Sequence, residues 1–214
     1  LVWFFYAQNI MIKYFKYIGD VVMNNKQVNS FHSQTEMNPI IAAVNQLDKL
    51  DLAIKSPCKV IFLLTGSIFN LKEIVQKVKD NDMDIYIHFD LLQGFAKDSI
   101  ALEYISKQIK PDGIITTKSN LIKKAKNLNL WAIQRLFIFD SKSLETGINS
   151  VNLTKPDTIE ILPGAIPKII NEIYDRTKIP LIAGGLIRNK EDVIECLKAG
   201  AEGISASTEE IWYM

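Results

Sequence analysis

The feature that most constrains the fold is a regular alternation, from residue 38 onward, between short apolar runs and charged segments with helical periodicity. Alternation of this kind is typical of βα units arranged around a parallel sheet. We count eight apolar, β-branched runs: IIAAV from Ile40, KVIFLLT from Lys59, DIYIHFD from Asp84, GIITT from Gly113, WAIQRLF from Trp131, TIEILPG from Thr158, PLIAGGLI from Pro180 and GISAS from Gly203.

Amphipathic segments separate these runs. Apolar residues spaced three and four apart fall on one face of a helix, which could then pack on the strands. Five segments show this spacing: Leu71 to Lys79, Ser99 to Ile109, Leu121 to Asn127, Ile166 to Thr177 and Lys190 to Ala199.

The number of units favours a closed barrel. Residues 38–214 (214 minus 37, or 177 residues) allow about 22 residues for each of eight units, which predicts a compact (β/α)₈ TIM-barrel-like single domain. An open doubly wound parallel sheet is the alternative. The barrel is favoured because eight is its closing number and because no GxGxxG follows the first strand.

Net charge and cysteine content argue against a strongly basic nucleic-acid-binding domain and against a zinc or disulfide framework. The chain has 25 Lys+Arg against 24 Asp+Glu, so a nucleic-acid contact would need a local basic patch. Cys58 and Cys196 lack zinc-ligand spacing and do not suggest a disulfide framework, which fits a reducing cytoplasm and predicts no metal site.

The first 37 residues do not follow the βα pattern. An apolar, aromatic stretch is followed by the polar sequence NNKQVNSFHSQTE, and its longest uncharged run, residues 1–12, is too short to span a membrane. We predict that residues 1–37 form an extension outside the domain, which occupies residues 38–214. An upstream-extended gene model is one explanation, with later starts at Met11, Met23 or Met37; an interfacial helix is the other.

The loops after the last two strands predict an anion site. In barrels these loops commonly bind phosphate through backbone N–H groups, with a helix N-terminus adding its dipole. The candidates are Gly184, Gly185, Ser207 and Thr208. Alternatively, the two glycines only form a tight turn and Asn189 caps the next helix.

A second group of polar residues is predicted at the same end of the barrel. His88 and Asp90 are two residues apart on one strand, and Glu160 belongs to another. They could transfer protons, or only hydrogen-bond a ligand. Gln134 and Arg135 are neighbours on a strand, so only one of them points into the barrel.

A basic segment is the one candidate RNA-contacting patch. It contains Lys118, Lys123, Lys124 and Lys126 without an acidic residue between them. The alternative is a solvated helix face.

Longer strings resemble a known family. HFDLLQGFAKD, IKPDGIITTKSNLIKKAK, WAIQRLFIFDS, KPDTIEILPGAIPKII and TKIPLIAGGLIRNKEDV, with LKAGAEGISAS, closely resemble the glycerol-3-phosphate-responsive antiterminators of bacterial glycerol uptake operons. The resemblance covers about residues 38 to 212. Near the end, the chain reads ISASTEEIW where the family is expected to have a Thr/Ser-rich string before Leu-Trp.

The resemblance implies a TIM-barrel-like regulator without a cofactor or catalytic activity. It would bind glycerol 3-phosphate as effector, and would then act on leader mRNA of glycerol-utilisation genes to allow transcription through a terminator. By motif, the phosphate would lie at Gly184 and Gly185, near Ser205 and Ser207. The glycerol end would face His88, Asp90, Gln134 or Arg135, and Glu160.

Three functions remain open from the sequence. The first is a metabolite-gated RNA-binding regulator, using the patch of Lys118, Lys123, Lys124 and Lys126, or a homo-oligomer that doubles it. The second is a TIM-barrel enzyme acting on a small phosphoester or sugar phosphate at the same mouth. The third is an enzyme-derived module that binds another protein.

Overall fold

The computed structural model describes residues 31–214, so predictions for residues 1–30 lie outside the described residues. Eight parallel strands form a closed barrel in which each strand pairs with the next and the last pairs with the first. The barrel prediction is confirmed, and the open-sheet alternative is wrong. The strands are β1 (Ile40–Val44), β2 (Val60–Leu63), β3 (Asp84–His88), β4 (Gly113–Thr116), β5 (Trp131–Phe137), β6 (Thr158–Leu162), β7 (Leu181–Gly184) and β8 (Gly203–Ala206).

Helices alternate with these strands along the chain. The five predicted amphipathic segments are all helical, although the segment from Ser99 ends in a π-helical turn over Ile105–Ile109. The described helices are α1 (residues 31–37), α2 (Leu50–Lys55), α3 (Leu71–Lys79), α4 (Ser99–Tyr104), α5 (Ser119–Asn127), α6 (Ser141–Thr154), α7 (Pro167–Thr177), α8 (Lys190–Lys198) and α9 (Glu209–Trp212). None of the helices within residues 31–214 is long and apolar enough to cross a membrane.

The strands bury both faces, as parallel strands of a barrel must. Outward-facing residues pack against the helices in one large apolar cluster. Inward-facing residues fill the barrel in a second cluster: Phe31, Ile41, Ala43, Val60, Phe62, Tyr86, Ile115, Trp131, Ile133 and Ile182. The interior is therefore packed with side chains, so a small ligand held inside the ring of strands would lie at the mouth.

Helix α1 contributes to the amino end of the barrel. The side chain of Phe31 is completely buried, with its ring 5.4 Å from that of Trp131 and edge-on to Tyr86 at 5.2 Å. His32 Nδ1 lies 3.0 Å from Glu202 Oε2. The packed unit thus includes residues 31–37, which the prediction placed outside the domain. A single buried aromatic residue within a polar stretch leaves no apolar period to detect.

Candidate functional site at the carboxyl end of the barrel

Five inward-facing positions lie near the carboxyl ends of their strands. Pairing of Arg135 with Glu160, and of Gly184 with Ser205, places these residues at neighbouring positions around the barrel. Since alternate residues of a strand face the same side, these positions continue the inward-facing rows above the apolar cluster. The five residues are His88, Arg135, Glu160, Gly184 and Ser205.

A buried ion pair organises this layer. Arg135 Nε donates a hydrogen bond to Glu160 Oε2 at 2.7 Å, and Ser205 Oγ donates to Glu160 Oε1 at 2.8 Å. Glu160 is fully buried and Arg135 is 7% exposed. Both carboxylate oxygens are thus engaged, whereas Arg135 Nη1 and Nη2 make no hydrogen bond to any residue within 31–214. These two nitrogens are available to a ligand.

The two glycines at the end of β7, Gly184 and Gly185, have separate roles. A Cβ on Gly184 would lie 3.0 Å from Glu160 Oε1 and 3.1 Å from Ser205 Oγ, so the absence of a side chain leaves room for that contact. Gly185 has φ +72° and forms the turn that leaves the strand. Asn189 accepts a hydrogen bond from Asp192 N and caps α8, so the predicted turn and cap are both present.

The mouth contains a cavity of about 290 Å³. We call it the mouth cavity; it is lined by Ala43, Asn45, Leu64, Arg135, Glu160, Leu162, Gly185, Leu186, Ile187, Arg188, Ser205, Ser207 and Thr208. Four predicted phosphate-binding residues are therefore brought together here: Gly185, Ser205, Ser207 and Thr208. Gly184 lies directly beneath them.

Unused hydrogen-bond donors surround this cavity. The backbone N–H groups of Gly185, Leu186, Ser207 and Thr208 donate to no other residue in the described part of the chain. Arg188 is exposed at the same loop, and its side chain forms no ion pair with a described residue. Such a set of donors suits an anion. Sequence reasoning missed Arg188, although a cation in the loop after the seventh strand could have pointed to it.

The expected helix dipole contributes little. Helix α9 has only four residues, and Glu209 and Glu210 occupy its first turn. Negative side chains at this end oppose the attraction that a helix N-terminus offers to an anion. Backbone N–H groups and Arg188 would have to stabilise a bound phosphate.

His88 is a buried, neutral side chain in the same layer. It is 3% exposed, and its Nδ1 has no hydrogen-bond partner among the described residues. Burial, reinforced by the positive charge of Arg135, lowers the pKa of His88 to about 4, although Asp90 opposes the shift. At neutral pH His88 can exchange hydrogen bonds with a ligand but carries no charge.

Contrary to the sequence prediction, Asp90 does not lie on the same strand as His88. Strand β3 ends at His88 and a 3-10 turn over Phe89–Leu91 follows, so strand alternation does not extend to Asp90. Its carboxylate accepts hydrogen bonds from Thr116 Oγ1 at 2.7 Å and from Thr117 N at 2.8 Å. Burial acts to raise the pKa of Asp90, but these hydrogen bonds outweigh it and hold the pKa below its usual value. Asp90 therefore ties the loop after β3 to the end of β4.

Of the neighbouring pair on β5, Arg135 points into the mouth and Gln134 does not. Gln134 Nε2 donates to Ser150 Oγ at 2.8 Å, and Gln134 Oε1 accepts from Thr154 Oγ1 at 2.6 Å. Both partners belong to α6, outside the barrel. Of the two alternatives left open by the sequence, Arg135 and not Gln134 is therefore the residue at the mouth.

The four predicted RNA-contacting lysines do not form one free patch. Lys124 pairs with Glu103 at 3.0 Å, and Lys126 pairs with Asp157 at 3.0 Å. Lys118 Nζ donates to a backbone carbonyl at 3.3 Å, while Lys123 is exposed and forms no ion pair with the described residues. Local ion pairs thus offset part of the positive charge that the sequence indicated.

Metal-ligand clusters and strand lysines are both missing from the described part of the barrel. Within residues 31–214, no group of three or more His, Cys, Asp or Glu side chains could hold a metal ion. The barrel strands over the same residues carry no lysine, which could have formed a Schiff base with a carbonyl substrate. Of the titratable groups there, His88 has a lowered pKa, and the carboxylates of Asp90 and Glu160 accept hydrogen bonds from neighbouring side chains.

Comparison with known proteins identifies the family. Residues 40–212 match the family described as "Glycerol-3-phosphate responsive antiterminator". The chain belongs to this family. A relative from Escherichia coli K12, the uncharacterized protein YgcP, is 38% identical over 175 residues, covering 82% of this chain and 92% of the relative.

Solved structures of antiterminator relatives share the barrel. The glycerol uptake operon antiterminator regulatory protein of Listeria monocytogenes is 32% identical, with a TM-score of 0.80 over 82% of this chain and 95% of that one. An antiterminator-related protein of Thermotoga maritima is also 32% identical, with a TM-score of 0.74 over 83% and 99%. A putative deoxyribose-phosphate aldolase from Coccidioides immitis, 13% identical with a TM-score of 0.64 over 81% and 82%, shares the fold alone.

Proposed function

We propose that the chain is a glycerol-3-phosphate-responsive, mRNA-binding transcription antiterminator that regulates glycerol uptake and utilisation genes. The observation that supports this most directly is the mouth cavity, where unused N–H donors lie beside a buried arginine–glutamate pair. Family membership supports both the effector and the regulatory role.

The two ends of glycerol 3-phosphate match different parts of this cavity. The phosphate would accept hydrogen bonds from the N–H groups of Gly185, Leu186, Ser207 and Thr208, with Arg188 supplying positive charge. The hydroxyl groups would meet Arg135 Nη1 and Nη2, with Glu160, Ser205 and His88 in the layer beneath.

The proposal also covers the setting of the protein. Membership of the antiterminator family supports RNA binding and a role as a regulator rather than an enzyme. We further propose a cytoplasmic location, in keeping with two free, buried cysteines. A homo-oligomer remains part of the proposal, because a net charge of +1 gives a single chain little attraction for RNA.

Calorimetric titration tests the effector. Glycerol 3-phosphate should bind saturably, whereas glycerol and inorganic phosphate should bind far more weakly, because each satisfies only one end of the cavity. Arg188→Ala should weaken binding about tenfold, the size expected for one charge-assisted hydrogen bond. Arg176→Ala is the matched control, since Arg176 pairs with Glu145 on the outer helices.

Prolonged incubation separates a sensor from an enzyme. Recovery of intact glycerol 3-phosphate after many binding lifetimes supports the regulator. Consumption of the ester by the wild-type protein, lost in His88→Gln, would favour the phosphoester enzyme instead.

A further inference from the structure

A second cavity adjoins the mouth on its outer side. It has a volume of about 550 Å³ and lies between the end of β5 and helix α6, where Phe137, Phe139, Lys142 and Thr146 form part of its lining. A neighbouring cavity of about 700 Å³ shares Thr146 and extends between α5 and α6 as far as Lys123. We call the two together the β5–α6 groove.

Two exposed aromatic rings stand at the groove. The side chains of Phe137 and Phe139 are 43% and 81% exposed. Their rings are parallel, with an interplanar angle of 1° and centroids 6.0 Å apart. Flat aromatic faces presented to solvent are the surfaces on which unpaired bases of single-stranded nucleic acid stack.

The charge of the groove suits a polyanion. Its lining contains two exposed lysines, Lys123 and Lys142, and one carboxylate, that of Asp140, while Glu160 offsets the charge of Arg135. Asp140 accepts a hydrogen bond from Ser143 N and caps α6, so its negative charge is partly satisfied locally. Lys123 and Lys142 are both exposed and form no ion pair with a described residue, which leaves them free for phosphates.

Arg135 borders both cavities. Its Nε is fixed to Glu160 in the mouth, and the residue lines the mouth cavity as well as the groove. A ligand that engages Arg135 Nη1 or Nη2 in the mouth therefore acts on a residue that also lines the groove. Such a shared residue provides a physical route between the two sites.

We propose that the β5–α6 groove binds single-stranded RNA, with an unpaired base stacked on Phe139 and phosphates near Lys123 and Lys142. The proposal rests on the proposed antiterminator function and assigns its RNA-contacting surface. This surface differs from the patch predicted from the sequence, because it retains Lys123, adds Lys142 and two aromatic residues, and leaves out Lys124 and Lys126.

Binding of a labelled leader RNA to the full chain, at saturating glycerol 3-phosphate, tests the proposal. Phe139→Ala should weaken binding by about tenfold or more, the size of one lost stacking contact, and Phe139→Trp should retain it. Phe69→Ala is the matched control, since Phe69 is 92% exposed in the loop after β2 and lies away from the groove. It should leave the affinity unchanged.

Charge reversal provides an independent readout. Lys142→Glu and Lys123→Glu should each weaken binding and reduce the slope of log affinity against log salt by about 0.7 per lost phosphate contact. Lys72→Glu, on the exposed face of α3, should do neither. A fully paired RNA duplex of the same length should bind weakly, because its bases cannot stack on the protein.

The outcomes separate failure of the groove proposal from failure of the proposed antiterminator function. If wild-type protein binds leader RNA while Phe139→Ala and Lys142→Glu bind equally well, the groove is wrong and the antiterminator proposal stands. If Phe139→Ala changes the oligomeric state but not RNA affinity, the groove is a contact between copies of the chain. If wild-type protein binds no leader RNA with the effector present, both proposals fail.

Discussion

At the scale of single residues, Gly184 controls the geometry of the mouth because any side chain there would meet Glu160 and Ser205. Gly184→Ala should displace the Glu160 carboxylate and weaken glycerol 3-phosphate binding about tenfold, a loss of about 1.4 kcal/mol. Gly203→Ala is the control, because the tightest contact of its Cβ would be the flexible terminal methyl of Ile41, at 3.1 Å, and the next neighbours, at 3.5 and 3.7 Å, are in ordinary contact. If a folded Gly184→Ala variant bound the effector as tightly as wild type, Gly184 would not shape the binding site.

His88 predicts a pH dependence of stability. Its pKa is about 4 in the folded protein against an ordinary value of 6.5, so between these values the unfolded chain takes up a proton that the folded protein does not. The free energy of unfolding should therefore decrease as the pH is lowered. His88 should account for about 2 kcal/mol of that decrease between pH 7 and pH 5. Urea unfolding of wild type and His88→Gln measures it. Parallel pH profiles for the two proteins would contradict a depressed pKa.

The sequence predicted which residues lie near the mouth better than it predicted where their side chains point. Glu160 and Ser205 face the mouth as predicted, because strand periodicity fixes which side they take. Periodicity alone could not choose between Gln134 and Arg135, since the register of the strand relative to the barrel axis decides which one points inward. The strand alternation did not predict the position of Asp90 because β3 ends at His88 and a 3-10 turn follows.

At the scale of elements, the strands were predictable and the amino-end helix was not. All eight runs form strands, since short apolar, β-branched segments bounded by polar residues leave few alternatives. Helix α6 was not among the segments with clear apolar spacing. Its sequence contains Gly147 and several Ser, Thr and Asn residues, and a capping box at Asp140 helps to define its start.

A substitution in helix α1 tests whether residues 31–37 belong to the packed domain. Phe31→Ala would remove a fully buried ring from between Trp131 and Tyr86, and should lower the free energy of unfolding by about 3–5 kcal/mol. Chemical denaturation measures the change, with the exposed Phe69→Ala as control. A change below about 1 kcal/mol would mean that α1 does not stabilise the barrel.

At the scale of the whole molecule, the proposed function requires that two sites communicate. The mouth cavity and the β5–α6 groove share Arg135, which Glu160 holds through one nitrogen. Arg135→Lys keeps the charge but loses the planar fork of donors. We expect this variant to respond to glycerol 3-phosphate with a smaller gain in RNA affinity. An unchanged gain, measured by RNA titration with and without effector, would show that coupling bypasses Arg135.

The most direct test of the central proposal is to titrate glycerol 3-phosphate into the full chain with and without leader RNA. If effector binding favours the RNA-binding state, RNA must raise effector affinity by the same factor by which the effector raises RNA affinity. We predict equal, reciprocal enhancements of at least about fivefold, the lower end of typical allosteric coupling. Identical effector affinities in the two titrations would contradict the proposal that this barrel is a metabolite-gated antiterminator.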